Sequence, residues 1–94
     1  MKTTTARTPE KLEDLPNIGK RIAADLRKIG ITRPAELHRQ PSLDVFHRLG
    51  PVMGHRHDPC VLYTLLAVEH FQTRGEVLPW WNFTTAGKKL LEKA

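Results

Sequence analysis

The sequence predicts an all-α domain of about five to six short helices arranged as two helix–turn–helix units. Three observations carry that prediction. Apolar residues recur at helical spacing rather than in alternation, as Ile18, Ile22, Leu26 and Ile29 in one segment and Leu43, Phe46 and Leu49 in another. The segments are punctuated by helix starters and stoppers: Pro34, Pro41 and Pro59 at starts, Gly30 and Gly75 at ends. Finally, 94 residues lie near the small end of what builds a core unaided, and the single cysteine, Cys60, cannot cross-link the chain internally. One helical hairpin cannot bury its own apolar face, and doubling it solves that problem.

Taken in order, residues 1–8 lack an apolar pattern and are expected to form a mobile arm. Thr8 is expected to cap a short helix with Pro9 at its first position and Leu12 and Leu15 facing inward. Leu15-Pro16-Asn17-Ile18-Gly19 reads as a tight turn: Pro16 cannot continue a helix, and Asn17 tolerates left-handed backbone angles. A helix follows over 18–29, with Ala23 beside its apolar stripe allowing close approach of a neighbour, and Gly30 stops it. Ile31 re-enters the core. Thr32 or Arg33 begins a short helix with Pro34 in its first turn and Leu37 as its buried anchor. Pro41 and Ser42 start the next helix, which Gly50-Pro51 is expected to end, with a long turn over 52–57. Asp58 as N-cap with Pro59 at the first position is a strong start for the most apolar helix, 59–74. That helix is expected at the centre, within a core of Leu15, Ile18, Ile22, Leu26, Ile29, Leu37, Phe46, Leu49, Leu62, Leu65, Leu66 and Phe71. Val77 to Phe83 is too irregular for a helix, and Trp80 and Trp81 are expected to fold back as an apolar clasp. Thr84 or Thr85 caps a last short helix. The expected partition is an arm at 1–8, the tandem helical domain at 9–83, and a basic C-terminal helix or tail at 84–94.

A lone cysteine and the absence of a signal-peptide pattern argue for a reducing, cytoplasmic setting, and no apolar run approaches the length of a membrane span. The net charge is +5, and it is concentrated early: residues 1–33 carry eight Lys or Arg against four acids, residues 34–94 seven against six. The excess thus accompanies the turn at 15–19.

That turn is the most informative stretch for function. Free N–H groups at the start of the following helix carry its positive dipole end, Gly19 leaves room for an anion to reach them, and Lys20 and Arg21 add full charges. A phosphate fits this description. The pattern Leu15-x-Asn17-Ile18-Gly19-x-x-x-Ala23 resembles the helix-hairpin-helix motif, apolar-x-Gly-apolar-Gly-x-x-x-Ala, with Asn17 standing where the motif has its first glycine. The resemblance implies sequence-independent binding to the DNA backbone, through Asn17, Gly19, Lys20, Arg21 and Lys28 of the final turn. It also implies a monovalent cation held by the carbonyls of Glu13, Leu15 and Ile18. The second turn, Leu49-Gly50-Pro51-Val52-Met53-Gly54, overlays the first in order, giving two helix-hairpin-helix-like units bridged by a short connecting helix.

Several segments together resemble the bacterial pathogenicity-locus family, often labelled mitomycin-resistance-type helix-hairpin-helix proteins. They are Leu15-Pro16-Asn17-Ile18-Gly19, Leu26-x-x-Ile29-Gly30-Ile31, Leu37, Gly54-x-Arg56-x-Asp58-Pro59-Cys60-Val61-Leu62 and Pro79-Trp80-Trp81. The hairpin is also similar to the C-terminal domain of bacterial competence regulators. The family resemblance implies a small, helical, cytoplasmic bacterial domain without a settled activity, and the likeness to competence regulators a DNA-associated or regulatory role; DNA repair or stress response is the setting expected for it.

Two other constellations carry chemistry in principle. His55-x-His57-x-x-Cys60 has a spacing a metal can use, but zinc takes four ligands and no second Cys pair or His-x-x-x-His stands nearby. Cys60 near a helix N-terminus beside Arg56 and His57 is a minimal nucleophile arrangement, but Asp58 is an adjacent negative charge and no orienting third group is evident. A small buried thiol is the expectation for Cys60. Arg56 is expected to pair with a carboxylate or carbonyl and pin the long turn. Trp80 and Trp81 offer the aromatic surface that single-strand binders stack on bases, against the structural use as a clasp. The function expected is therefore a non-enzymatic DNA-binding module. The alternative is a protein-interaction or regulatory module that keeps the fold without DNA contact.

Overall fold

The computed structural model describes residues 9–93, in which five α-helices and three short 3₁₀ turns are joined without a strand. The arm expected at 1–8, with the Thr8 cap, lies outside the described residues. The first turn of the described residues is a 3₁₀ helix, Leu12–Asp14, rather than an α-helix beginning at Pro9. Asp14 explains it: its carboxylate turns back to accept the N–H groups of Glu10 and Lys11 at 3.2 and 3.1 Å, and so caps this turn at its own start.

Helix α1 spans Lys20–Lys28, two residues later than the apolar pattern suggests, because Gly19 is extended and acts as the N-cap. Its far end is a Schellman turn. Gly30, at φ 91°, donates to Arg27 O, and Ile31 N–H donates to Leu26 O at 3.0 Å, which delivers Ile31 to the core against Leu26. Helix α2, Pro34–His38, connects the two units. Its start is organised by Glu36, whose Oε1 accepts the N–H and hydroxyl of Thr32 and the N–H of Arg33.

Helix α3, Ser42–Met53, runs through Gly50-Pro51 instead of ending there. Pro51 removes one hydrogen bond, but Val45, Phe46, Leu49 and Met53 fall on one buried face, and completing the last turn buries Met53. The stop is Gly54, at φ 59°. The turn that follows is a 3₁₀ helix, Gly54–Arg56, leading into α4, Pro59–Arg74. Asp58 caps α4 as expected, its Oδ1 accepting the Cys60 N–H at 2.8 Å, and Gly75, left-handed at φ 76°, ends the helix.

Helix α4 is the centre: Val61, Leu62, Tyr63, Thr64, Leu65, Ala67 and Val68 are all buried. Four residues expected in the core, Ile22, Ile29, Leu66 and Phe71, are only half-buried; they pack at its edge, while Leu12, Ile31, Val45, Met53, Val61 and Val68 complete its interior. The stretch expected to be irregular contains a 3₁₀ helix, Trp80–Phe83, which runs directly into α5, Thr84–Lys93. Tyr63 is the seat for both: the ring of Trp80 lies nearly parallel to it at 6.3 Å, and α5 brings Gly87 against it. A Cβ at Gly87 would sit 2.3 Å from the Tyr63 ring, so only glycine lets α5 pack this closely. Among the described residues no helix is long and apolar enough to cross a membrane.

Candidate nucleic-acid interface

The turn between the first 3₁₀ helix and α1 is built by local chemistry. Asn17 takes the left-handed conformation at φ 69°, the conformation a glycine would supply at no cost, and Ile18 N–H closes the turn on Leu15 O at 3.2 Å. The two arms are clamped by a bidentate ion pair, Arg27 Nη1 and Nη2 to Glu13 Oε2 and Oε1 at 3.0 and 2.8 Å. Hydrogen bonding from Arg27 draws the Glu13 carboxyl down to about 2. Burial of Leu12, Leu15 and Ile18 beneath the turn fixes its orientation on the core.

The first intrahelical bond of α1 is Ala23 N–H to Gly19 O at 3.0 Å, so the N–H groups of Gly19, Lys20, Arg21 and Ile22 precede the ladder. Gly19 has no side chain to cap them. Lys20 and Arg21 are exposed, and neither joins an ion pair among the described residues. A Cβ built at Gly19 would meet nothing within 4 Å, so the space beside this glycine is open. Four N–H groups ahead of the ladder, the dipole of α1 and two exposed cations thus belong to one helix end. Such an end can take an anion.

Of the sequence-derived candidates, Asn17, Gly19, Lys20 and Arg21 are consecutive around this turn apart from the buried Ile18. Lys28 is not with them: it lies eight residues along α1, about 12 Å away at 1.5 Å per residue. Asn17 carries a role that its sequence neighbours do not reveal. Its side-chain amide donates to Leu78 O at 2.9 Å, tying the hairpin turn to the segment after α4. Of the carbonyls implied as cation ligands, that of Leu15 already accepts Ile18 N–H, whereas those of Glu13 and Ile18 accept none of the turn or cap bonds, Pro16 having no N–H to offer Glu13. Two open carbonyls and one half-used carbonyl are compatible with a cation.

The second turn is pinned by Arg56, as its charge suggests, and its partner is Asp25 on α1. Arg56 Nη2 donates to both carboxylate oxygens, at 3.1 and 3.0 Å, and Asp25 is only 2% exposed. Asp25 falls within the apolar stripe of α1, between Ile22 and Leu26. An acid on a buried face with a single arginine in a later turn was the signal for this pair.

The metal and thiol readings do not gain from the structure. The Nε2 of His57 lies 2.6 Å from Phe46 O, so it carries the proton and donates, and the ring stacks on Phe46 with centroids 4.1 Å apart. Among the described residues, no three His, Cys, Asp or Glu side chains converge as metal ligands would, and His55, His57 and Cys60 are not brought together as a site. Cys60, expected to be buried, is exposed, because the first turn of α4 projects from the core before burial begins at Val61. Its thiol is pushed up by the desolvation it does undergo and by the Asp58 carboxylate beside it, which opposes thiolate formation.

Residues 5–89 match the family described as pathogenicity locus. The chain is also 32% identical over 80 residues, 85% of its own length and 76% of the relative's, to a protein named mitomycin resistance protein McrB from Streptomyces lavendulae. No solved structure matches it. With the match running from before the first hairpin to within α5, the chain belongs to the pathogenicity locus family.

Proposed function

We propose that this chain is a non-enzymatic, cytoplasmic DNA-binding module that grips the phosphate backbone, without regard to sequence, through a helix-hairpin-helix turn at residues 15–23. The observation that carries this reading is the start of α1, which has no side-chain cap, whose Gly19 would leave even a Cβ free of contacts, and which is flanked by Lys20 and Arg21, exposed and without an ion-pair partner among the described residues. A DNA phosphate would sit against Gly19, with Lys20 and Arg21 beside it. A monovalent cation on the open carbonyls of Glu13 and Ile18, shared with Leu15, would add positive charge to the same contact. The resistance named for the Streptomyces relative supports a setting in DNA repair or stress response.

The alternative, a regulatory or protein-interaction module that keeps the fold without DNA contact, is favoured by one detail. Asn17 places a side chain where the motif has glycine, and that side chain is spent inside the molecule on Leu78 O. Titrating one random duplex at several salt concentrations separates the two. Under the DNA reading, the wild type binds with a steep salt dependence, and Lys20→Ala or Arg21→Ala each weaken binding and flatten the log–log slope by about 0.9 per lost phosphate contact. Absence of salt-dependent binding at low ionic strength would favour the interaction module.

A further inference from the structure

The chain between α4 and α5 joins the hairpin turn to an exposed aromatic surface. Leu78 O accepts the Asn17 amide, so this segment is anchored to the turn that precedes the exposed Lys20 and Arg21. On either side of Leu78, Val77 is 64% exposed and Trp81 61% exposed, the two large apolar side chains left in solvent among the described residues. The adjacent indoles are used differently. Trp80 lies over the buried Tyr63 ring, whereas the ring of Trp81 meets that of Trp80 edge-on, at 5.5 Å and 81°, and keeps most of its surface free. Trp81 lies three residues beyond Leu78, so its Cα is at most about 11 Å from the residue that accepts the Asn17 amide.

Building on the proposed DNA contact, we infer that Trp81 stacks on an unpaired nucleobase of a strand whose phosphate is held at the start of α1. The preferred ligand would then be DNA with a gap or a single-stranded segment rather than intact duplex. Exposed cations and N–H donors on a turn tied to a segment that carries a solvent-exposed aromatic are the combination that single-strand binders use, the charges following the backbone and the ring meeting base faces. The bases of an intact duplex are stacked on one another and offer Trp81 no free face. The apolar area is two side chains set beside positive charge, which suits a nucleotide better than the larger apolar core of a protein interface.

The test is fluorescence anisotropy on three labelled DNAs of equal length, an intact duplex, the same duplex with a short gap, and a single strand. The proteins are the wild type, Trp81→Ala, Trp81→Phe and Lys20→Ala, each checked for helicity by circular dichroism. The wild type should bind gapped DNA about tenfold more tightly than intact duplex, as one stacked base allows. Trp81→Ala should bring gapped DNA to the level of intact duplex without changing the latter, Trp81→Phe should keep most of the preference, and Lys20→Ala should weaken all three. Equal wild-type affinity for gapped and intact DNA, or equal weakening of both by Trp81→Ala, would overturn the stacking inference while leaving the phosphate contact in place. Failure of every DNA to bind would remove both.

Discussion

Arg56→Ala should be among the most destabilising substitutions of a non-apolar residue in this chain. Asp25 is 2% exposed and its two oxygens accept from Arg56 Nη2, with no other side chain among the described residues donating to it. Truncating the arginine leaves a buried carboxylate without a partner, a change that costs about 3–5 kcal/mol. The Arg56 side chain keeps 29% of its surface in solvent, which screens the pair and places the expected loss near the lower end, about 3 kcal/mol. A domain of this size has only about 5–15 kcal/mol to lose. Urea denaturation followed by circular dichroism gives the loss as a shift in midpoint at constant slope. The double variant Asp25→Leu with Arg56→Met removes both charges and should recover much of the loss, since neither ion is then desolvated. Loss below about 0.5 kcal/mol for Arg56→Ala, the range of ordinary surface substitutions, would refute the claim that this pair joins the two hairpin units.

Three further outcomes follow from the packing and electrostatics. Gly87→Ala exchanges the residue least suited to a helix interior, apart from proline, for the best helix former, yet its Cβ would meet the Tyr63 ring at 2.3 Å; overpacking should prevail, with a net loss of about 1–3 kcal/mol in thermal denaturation, and a raised melting temperature would contradict it. Asp58→Ala removes the acceptor for Cys60 N–H and should cost about 0.5–2 kcal/mol, whereas unchanged stability would show that the cap bond does not hold α4. Glu13 has its pKa lowered from 4.5 to about 2 by Arg27, so its contribution is complete above the unfolded value and is lost as pH falls from about 4.5 towards 2. Stability of the wild type relative to Glu13→Gln should therefore shrink across that interval, and a constant difference would mean the clamp is not formed.

Local rules made much of the fold legible. Asp58-Pro59, Gly30 and Gly75 act where their chemistry predicts, because a cap or stop is decided within a few residues. The errors arise where tertiary burial outweighs a local signal. Gly50-Pro51 reads as a helix end, but the burial of Met53 carries α3 through it. Cys60 looks apolar and internal, but which face of α4 meets the core is set by α3 and the aromatic turn, and its first residues stand outside. At the candidate site, Gly19 and the cations beside it were readable from one stretch of chain. The Asn17–Leu78 bond spans 61 residues and follows no pattern, so the link between the hairpin and the Trp81 surface emerges only from the folded chain. Gly87 had a signal, a glycine inside a helical run, that points to close packing without naming Tyr63 as the partner.

The central claim is that backbone amides at the start of α1 meet a DNA phosphate, and amide NMR reads those groups one by one. Uniformly ¹⁵N-labelled protein titrated with a random duplex at low salt should show saturable shifts concentrated at Gly19, Lys20, Arg21 and Ile22, reversed by added salt and weakened in Lys20→Ala. Silent amides at these four positions, whether shifts gather on another face or nowhere, would contradict the account and leave the hairpin as a packing corner.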